Sequence, residues 1–443
     1  MDETPLAQIK EYKMKILLIA VIFLLNSHFT CLVGQTIEKP YITTQTPITL
    51  FSTQDGETEI NTFSNVKPYD YKLLSKDSFT VIHLGSDHPP IVKTIYGTIP
   101  ATILGTPSMA ISSDGRYGLV SNHSWRPEGS HYDRLTYPKG EPVRNSDITP
   151  EMLKMQNLSP QLSDMISVVD LYDPDHPITD RILLDDQVTH ILAHPDGKRF
   201  FAMGAQYFFT YKLDGNKLVE LARSKTPNGV GCFWIHPDGK HILAGRNKNW
   251  GNDVAIVQWY SIDGDRVIFI NDLDIDSSLN TEYKNSGVIL RITPDGKRGF
   301  ICQRTMYNGL GFSDILIADL TLNKPRITEV IKQVGDGLES FAFHPNGKMA
   351  VATVLEKSKN SLAVLDIASN PPRLLYHLDA AALSQGVEFT PEGDKLFLGS
   401  TYNGRIEIYD VKGEFELVKN QKFIKIGFGH NSLSIGPRYK KKK

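Results

Sequence analysis

The chain has 443 residues, of which 22% are charged and 40% hydrophobic, and its net charge is −2. That is ordinary globular composition, with length for a large core. The balanced charge excludes a global basic field, and with it nucleic acid or an acidic membrane as an electrostatically chosen partner.

Near the N-terminus, Lys10, Lys13 and Lys15 precede the apolar run 16–25, ILLIAVIFLL, and Asn26-Ser27-His28 follow it. Ten apolar residues behind positive charge are too few to span a bilayer and have the build of a secretory signal. Residues 1–35 are therefore expected to be a signal peptide, with Met14 the more conventional start. The mature chain is expected to be secreted or periplasmic and to carry no transmembrane span. Cys232 and Cys302 remain in it, each inside an apolar run. Two cysteines make no disulfide framework, so buried free thiols are expected.

Residues 36–68 read as a linker, with a strand near Pro47–Phe51. Periodicity then sets in, and 69–439 are expected to form one domain. FTVIHLGSDHPPIVKTI (Phe79–Ile95) has parallels in Ile166–Ile182 and Leu362–Leu378, each a pair of strands joined by an acidic or proline-rich turn. Between such pairs a hairpin recurs, as in AHPDGKRFFAMG (Ala193–Gly204) and GCFWIHPDGKHILAGRN (Gly231–Asn247). Proline presets the second position of a type I turn, and glycine supplies the left-handed residue that closes a bulged hairpin. The turn residues Asp114, Asp196, Asp238, Asp295, Asn346 and Glu392 lie 82, 42, 57, 51 and 46 apart, by subtraction of their numbers. Spacing of this order with four short strands per unit predicts a β-propeller. The long first gap holds an insertion, 125–164, rich in His, Tyr, Arg and Pro, with a capped helix start in DITPEMLKM (Asp147–Met155). Its position predicts a lid over the channel mouth.

The last repeat, GHNSLSIGPRY (Gly429–Tyr439), stops after one strand, and a basic tail, 440–443, follows. The expectation is an all-β, seven-bladed propeller, one blade closed by a C-terminal inner strand plus N-terminal outer strands. Such closure hides an edge that would template aggregation. Alternate apolar residues such as Phe233/Ile235, Phe341/Phe343 and Leu433/Ile435 are the expected core.

A site in this architecture would be drawn from the starts of the inner strands and the loops between second and third strands. His190, His123, Tyr307 and Glu339 are the candidate catalytic residues, as acid or base groups. The candidate binding residues are Trp125, Arg126, Arg246, Asn247, Trp250, Arg304, Gln385, Tyr402, His430 and Asn431. Arginine forks grip carboxylate or phosphate, and aromatic faces stack on sugar rings. Arg291 and Glu388 lie inside inner strands, where each should reach a partner or channel water. His194, His236 and His344 are expected to be structural turn residues, and His241 a packing residue. No HxH or HExxH spacing is present, so no metal and no cofactor is expected. Neither is there a GxSxG elbow, a P-loop or a dinucleotide fingerprint.

The HPDGK hairpins and the strands Ser167–Leu171 and Leu362–Ile367 resemble those of the YVTN-type seven-bladed propellers, the group that includes the lactonase-like family related to 6-phosphogluconolactonase. The likeness covers roughly 79–439. It implies a lactonase-like hydrolase, or a lyase, acting on a sugar-derived or anionic small molecule or glycan at the channel mouth. The alternative is a non-catalytic scaffold that binds a glycan or protein. A monomer is expected in either case.

Overall fold

A computed structural model describes residues 39–54, 78–96, 108–122, 165–173, 175–184, 186, 188, 190–227, 230–247, 256–281, 288–303, 313–335, 337–354, 361–380, 385–401 and 403–439. The chain divides into 1–41, of which only 39–41 are described, and a unit spanning 42–443. The expected signal segment, the insertion 125–164 and its helix start at Asp147–Met155 lie outside the described residues. Among the described residues no helix is long and apolar enough to cross a membrane.

The second unit is a seven-bladed β-propeller built from seven four-stranded sheets. Its inner strands are Met109–Ile111, His190–Ala193, Val230–Ile235, Val288–Ile292, Leu338–Phe343, Val387–Phe389 and His430–Gly436. Blades 1 to 7 are numbered in that order. In blade 7 the C-terminal strand His430–Gly436 pairs with Ile48–Gln54, which pairs with Ser78–Leu84, and Ile91–Tyr96 lies outermost. The chain ends thus share a sheet. The strand expected near Pro47–Phe51 is integral to it, so the propeller begins inside the stretch expected to be a linker.

Each hairpin turn closes as its sequence requires. Gly115, Gly197, Gly239, Gly296, Gly347 and Gly393 all have φ between +70 and +76 or, for Gly239, +67. Their amides donate to the carbonyl three residues back, at 2.8–2.9 Å. Blade packing follows from strand alternation. The apolar side chains form seven clusters, one at each seam between neighbouring blades. Phe233 and Ile235 face blade 2, whereas Phe341 and Phe343 face blade 4. Burying one such ring contributes about 1.5–3 kcal/mol.

The turn histidines tie the seams on the far face. His194 Nε2 meets the carbonyl of Gly239 at 2.8 Å, His236 that of Gly296 at 2.7 Å, and His344 that of Gly393 at 2.9 Å. In each case Nδ1 accepts from the backbone amide two residues on. Their structural role is the one expected. Blade 4 supplies the control: it has Thr293 at this position, and no described atom lies within 4 Å of a Cβ built on Gly347. Cys232 and Cys302 are both buried thiols outside any disulfide, as expected.

Candidate functional site in the axial channel

Three polar or aromatic side chains occupy one repeated slot, two residues ahead of the first turn residue. They are Trp234 in blade 3, Arg291 in blade 4 and Glu388 in blade 6. In blades 1, 2 and 5 the same slot holds Ala110, Leu192 and Ala342. Arg291 reaches past blade 5 to place Nη2 2.8 and 3.0 Å from the two Glu388 oxygens, and its Nη1 donates to the Phe341 carbonyl at 2.6 Å. The guanidinium centre stands 4.6 Å from the Trp234 ring. Burial pushes the Glu388 carboxyl above its usual range, and the Arg291 charge opposes that shift. Both buried charges are therefore partnered, as strand placement demanded.

This cluster lines a cavity of about 30 Å³, together with Ser340, Gln385 and Ser432. That volume holds water but is too small for a sugar ring.

Glu339 and Gln385, from blades 5 and 6, are both buried, at 2% and 1% exposure. Gln385 Nε2 points to Glu339 Oε2 at 3.4 Å. Gln385 also lines the cavity that holds Arg291 and Glu388.

The structure separates other residues that the sequence reading grouped. His430 is fully buried. Its Nδ1 meets Ser52 Oγ at 2.9 Å, and Gln54 Nε2 donates to the same hydroxyl at 2.6 Å. Its Nε2 lies where a Cβ on Gly399 or Gly386 would stand, 1.8 and 2.6 Å from those ideal positions. Burial lowers its pKa from 6.5 to about 3, so the ring is neutral. Among the described residues His430 thus packs in the blade that joins the two ends of the propeller. Asn431 is fully buried too, and its Oδ1 accepts from Ser108 Oγ in blade 1 and from Ser432 Oγ. It therefore sits at the blade 7–blade 1 seam. Successive residues of one strand point to opposite faces, so His430 serves one seam and Asn431 the next.

His190 begins the inner strand of blade 2, opposite Met203, and is 3% exposed. Arg246 and Asn247 end the strand His241–Asn247, in backbone register with Gly231 and Val230. His123, Trp125, Arg126, Trp250, Arg304, Tyr307 and Tyr402 lie outside the described residues. Cys232 is no nucleophile: burial pushes its thiol up to about 12, and its sulfur accepts from the Leu290 amide at 3.1 Å.

Trp234 and Ser432 line the cavity without having been singled out. The signal for Trp234 was present, as a bulky polar-edged residue in a slot that other blades fill with Ala or Leu. Ser432 carries no such mark.

No protein-family model and no curated protein matches the sequence. Solved structures do match in shape. A candidate 6-phosphogluconolactonase from Bacteroides uniformis superposes with a TM-score of 0.59 at 12% identity, over 88% of this chain and 100% of that one. One from Bacteroides fragilis gives 0.55 at 13% identity, over 89% and 99%. The periplasmic gluconolactonase of Pseudomonas aeruginosa gives 0.57 at 12% identity, over 88% and 99%. Identities this low speak for fold and leave activity open. The chain has the fold of the lactonase-like seven-bladed β-propellers.

Proposed function

We propose that the protein is an exported enzyme that hydrolyses a lactone or a related sugar-derived, anionic small molecule at the mouth of the propeller channel. The observation that carries this reading is the Glu339–Gln385 pair, a buried carboxylate held by a neighbouring blade. A carboxylate so placed suits a general base that takes a proton from water as the water attacks the lactone carbonyl. The ring C–O bond then breaks and its oxygen leaves with a proton. His190 or His123 is the alternative base, Tyr307 or Tyr402 the acid, and Arg246 with Arg304 would neutralise the developing oxyanion. Trp125, Arg126, Asn247 and Trp250 complete the ligand contacts. Three solved propellers matching 88–89% of the chain bear gluconolactonase descriptions, which favours lactones as the first substrate class. The ten-residue apolar run after three lysines supports export.

The test is a screen of aldonolactones and uronate-containing glycans against purified protein, followed by His190→Ala, His123→Ala, Arg246→Ala and Glu339→Gln. Loss of turnover with retained folding supports the reading, whereas full activity in all four variants overturns it. The small size of the cavity beside Arg291 and Glu388 favours one second reading, a binding propeller with no chemistry. Saturable ligand binding with no product would select it.

A further inference from the structure

The turn of blade 3, HPDGKH, differs from that of blade 2, HPDGKR, in one residue. Five positions after the turn histidine stands Arg199 in blade 2, Met349 in blade 5 and His241 in blade 3. In blade 2, Arg199 Nε donates to Asp196 Oδ2 at 2.7 Å, supplying the turn carboxylate with a permanent cation. Blade 3 puts an imidazole there instead. Asp238 Oδ2 lies 2.8 Å from His241 Nδ1, and Oδ1 lies 2.9 Å from His236 Nδ1. The three ligand atoms all fall within 4.8 Å of one another. Side-chain exposures of 17%, 33% and 34% for His236, Asp238 and His241 leave the group open to solvent.

Two acceptors meet here. The Gly296 carbonyl can only accept, so the 2.7 Å contact puts a hydrogen on His236 Nε2. Nδ1 then has a lone pair, 2.9 Å from a carboxylate oxygen. The Asp238 amide donates to that nitrogen at 3.2 Å and the Lys240 amide to Asp238 Oδ1 at 2.7 Å, so a cation would take the place of these two contacts. His241 is held in plane by stacking on Trp259, with ring centres 5.0 Å apart and 12° between planes.

We propose that His236 Nδ1, Asp238 and His241 Nδ1 form a binding site for one borderline divalent cation, of the Zn²⁺ or Cu²⁺ class, on the turn face of blade 3. Two imidazoles and a carboxylate suit such ions, with water completing the coordination. The contact from His236 Nε2 to a backbone carbonyl is the support that metal-bound histidines usually have. Because that carbonyl belongs to the blade 4 turn, the ion would fasten the seam between blades 3 and 4.

Calorimetric titration of the full chain with Zn²⁺ tests the site. One equivalent is expected, and His241→Ala and Asp238→Asn should each weaken binding about 10-fold or more. His241→Ala leaves the His236–Gly296 contact in place, so lost binding can be told from lost folding. Excess Zn²⁺ should raise the melting temperature of the wild type and not that of His241→Ala. Absence of saturable Zn²⁺ binding, or affinity unchanged in both variants, would overturn the proposal.

Discussion

Arg291 and Glu388 come from blades 4 and 6, yet their charged groups meet at 2.8 Å, with the Phe341 carbonyl of the intervening blade bonded to the same guanidinium. Three blades are thereby tied at the axis by one side chain. Only about a fifth of each partner is exposed, so removing one leaves the other charge largely desolvated. Glu388→Ala should destabilise the propeller by about 3 kcal/mol. Arg291→Met with Glu388→Leu should recover most of that loss, because an apolar pair has no charge to desolvate. Urea unfolding of the three variants checks this. A double variant no better than the single one would show that the pair acts through packing alone.

His430 makes stability pH-dependent. Burial holds its pKa at about 3 in the folded protein, against 6.5 for an ordinary histidine. Between those values the unfolded chain carries one more proton than the folded one, so folding is favoured as pH rises. The stabilisation is complete above pH 6.5 and is lost as pH falls towards 3. His83 acts in the same direction: burial first, then the charges of Arg438, His88 and Lys93, lower it to about 4. Each such group contributes a slope of about 1.4 kcal/mol per pH unit within its window. His430→Gln should flatten the curve of unfolding free energy against pH between 6.5 and 4.5, and an unaltered slope would remove His430 as the cause.

The ring was legible because its determinants are local. A glycine forced to positive φ, a proline ahead of it and alternating apolar residues on either side are each visible within a dozen residues; six hairpins repeat the glycine and five of them the proline. The composite blade was legible for the same reason, since Gly429–Tyr439 reads as an inner strand lacking its partner. What a side chain faces across a seam is set instead by blades far apart in sequence. His430 looked like a mouth residue, yet its ring enters the space that Gly386 and Gly399 leave by having no Cβ. Nothing near His430 in the chain announces those glycines. Arg291 and Glu388 were an intermediate case: their charge in an apolar strand required a partner, but their separation of 97 residues hid which one.

Those two glycine positions yield a steric prediction. A Cβ on Gly399 would stand 1.8 Å from His430 Nε2, and the ring cannot retreat without losing Ser52. Gly399→Ala should cost about 1–3 kcal/mol, the usual range for overpacking. Pairing it with His430→Ala, which vacates the space, should return part of that. Additive losses in a double-mutant cycle would mean that the two residues do not touch.

The seam latches can be isolated by comparing two glycines of the same conformation. Gly296 has φ +74 and Gly347 has φ +72, so alanine strains both backbones alike, by about 1–2 kcal/mol. They differ in surroundings: a Cβ on Gly296 would come 2.7 Å from His236 Nε2, while the same atom on Gly347 meets no described neighbour within 4 Å. Gly296→Ala should therefore destabilise more than Gly347→Ala, by about 1 kcal/mol for the hydrogen bond it displaces. Thermal melts of the two variants decide it, and equal losses would leave the histidine contact without energetic weight.

Glu339 bears the heaviest load in the functional reading, and its isostere separates chemistry from structure. Glu339→Gln keeps the side chain's size and leaves an oxygen to accept from Gln385 Nε2, now 3.4 Å from Oε2. A general base converted to an amide should lose about 10²–10⁴-fold in kcat on a lactone substrate, with KM little changed. Were Glu339 only a packing residue, the melting temperature would move and kcat would not. Gln385→Ala supplies the complementary reading: it removes one hydrogen bond to the carboxylate and keeps the carboxylate, so the pH of half-maximal activity should shift while turnover persists. A fall in melting temperature with an unmoved pH profile in both variants would place the chemistry elsewhere on the rim.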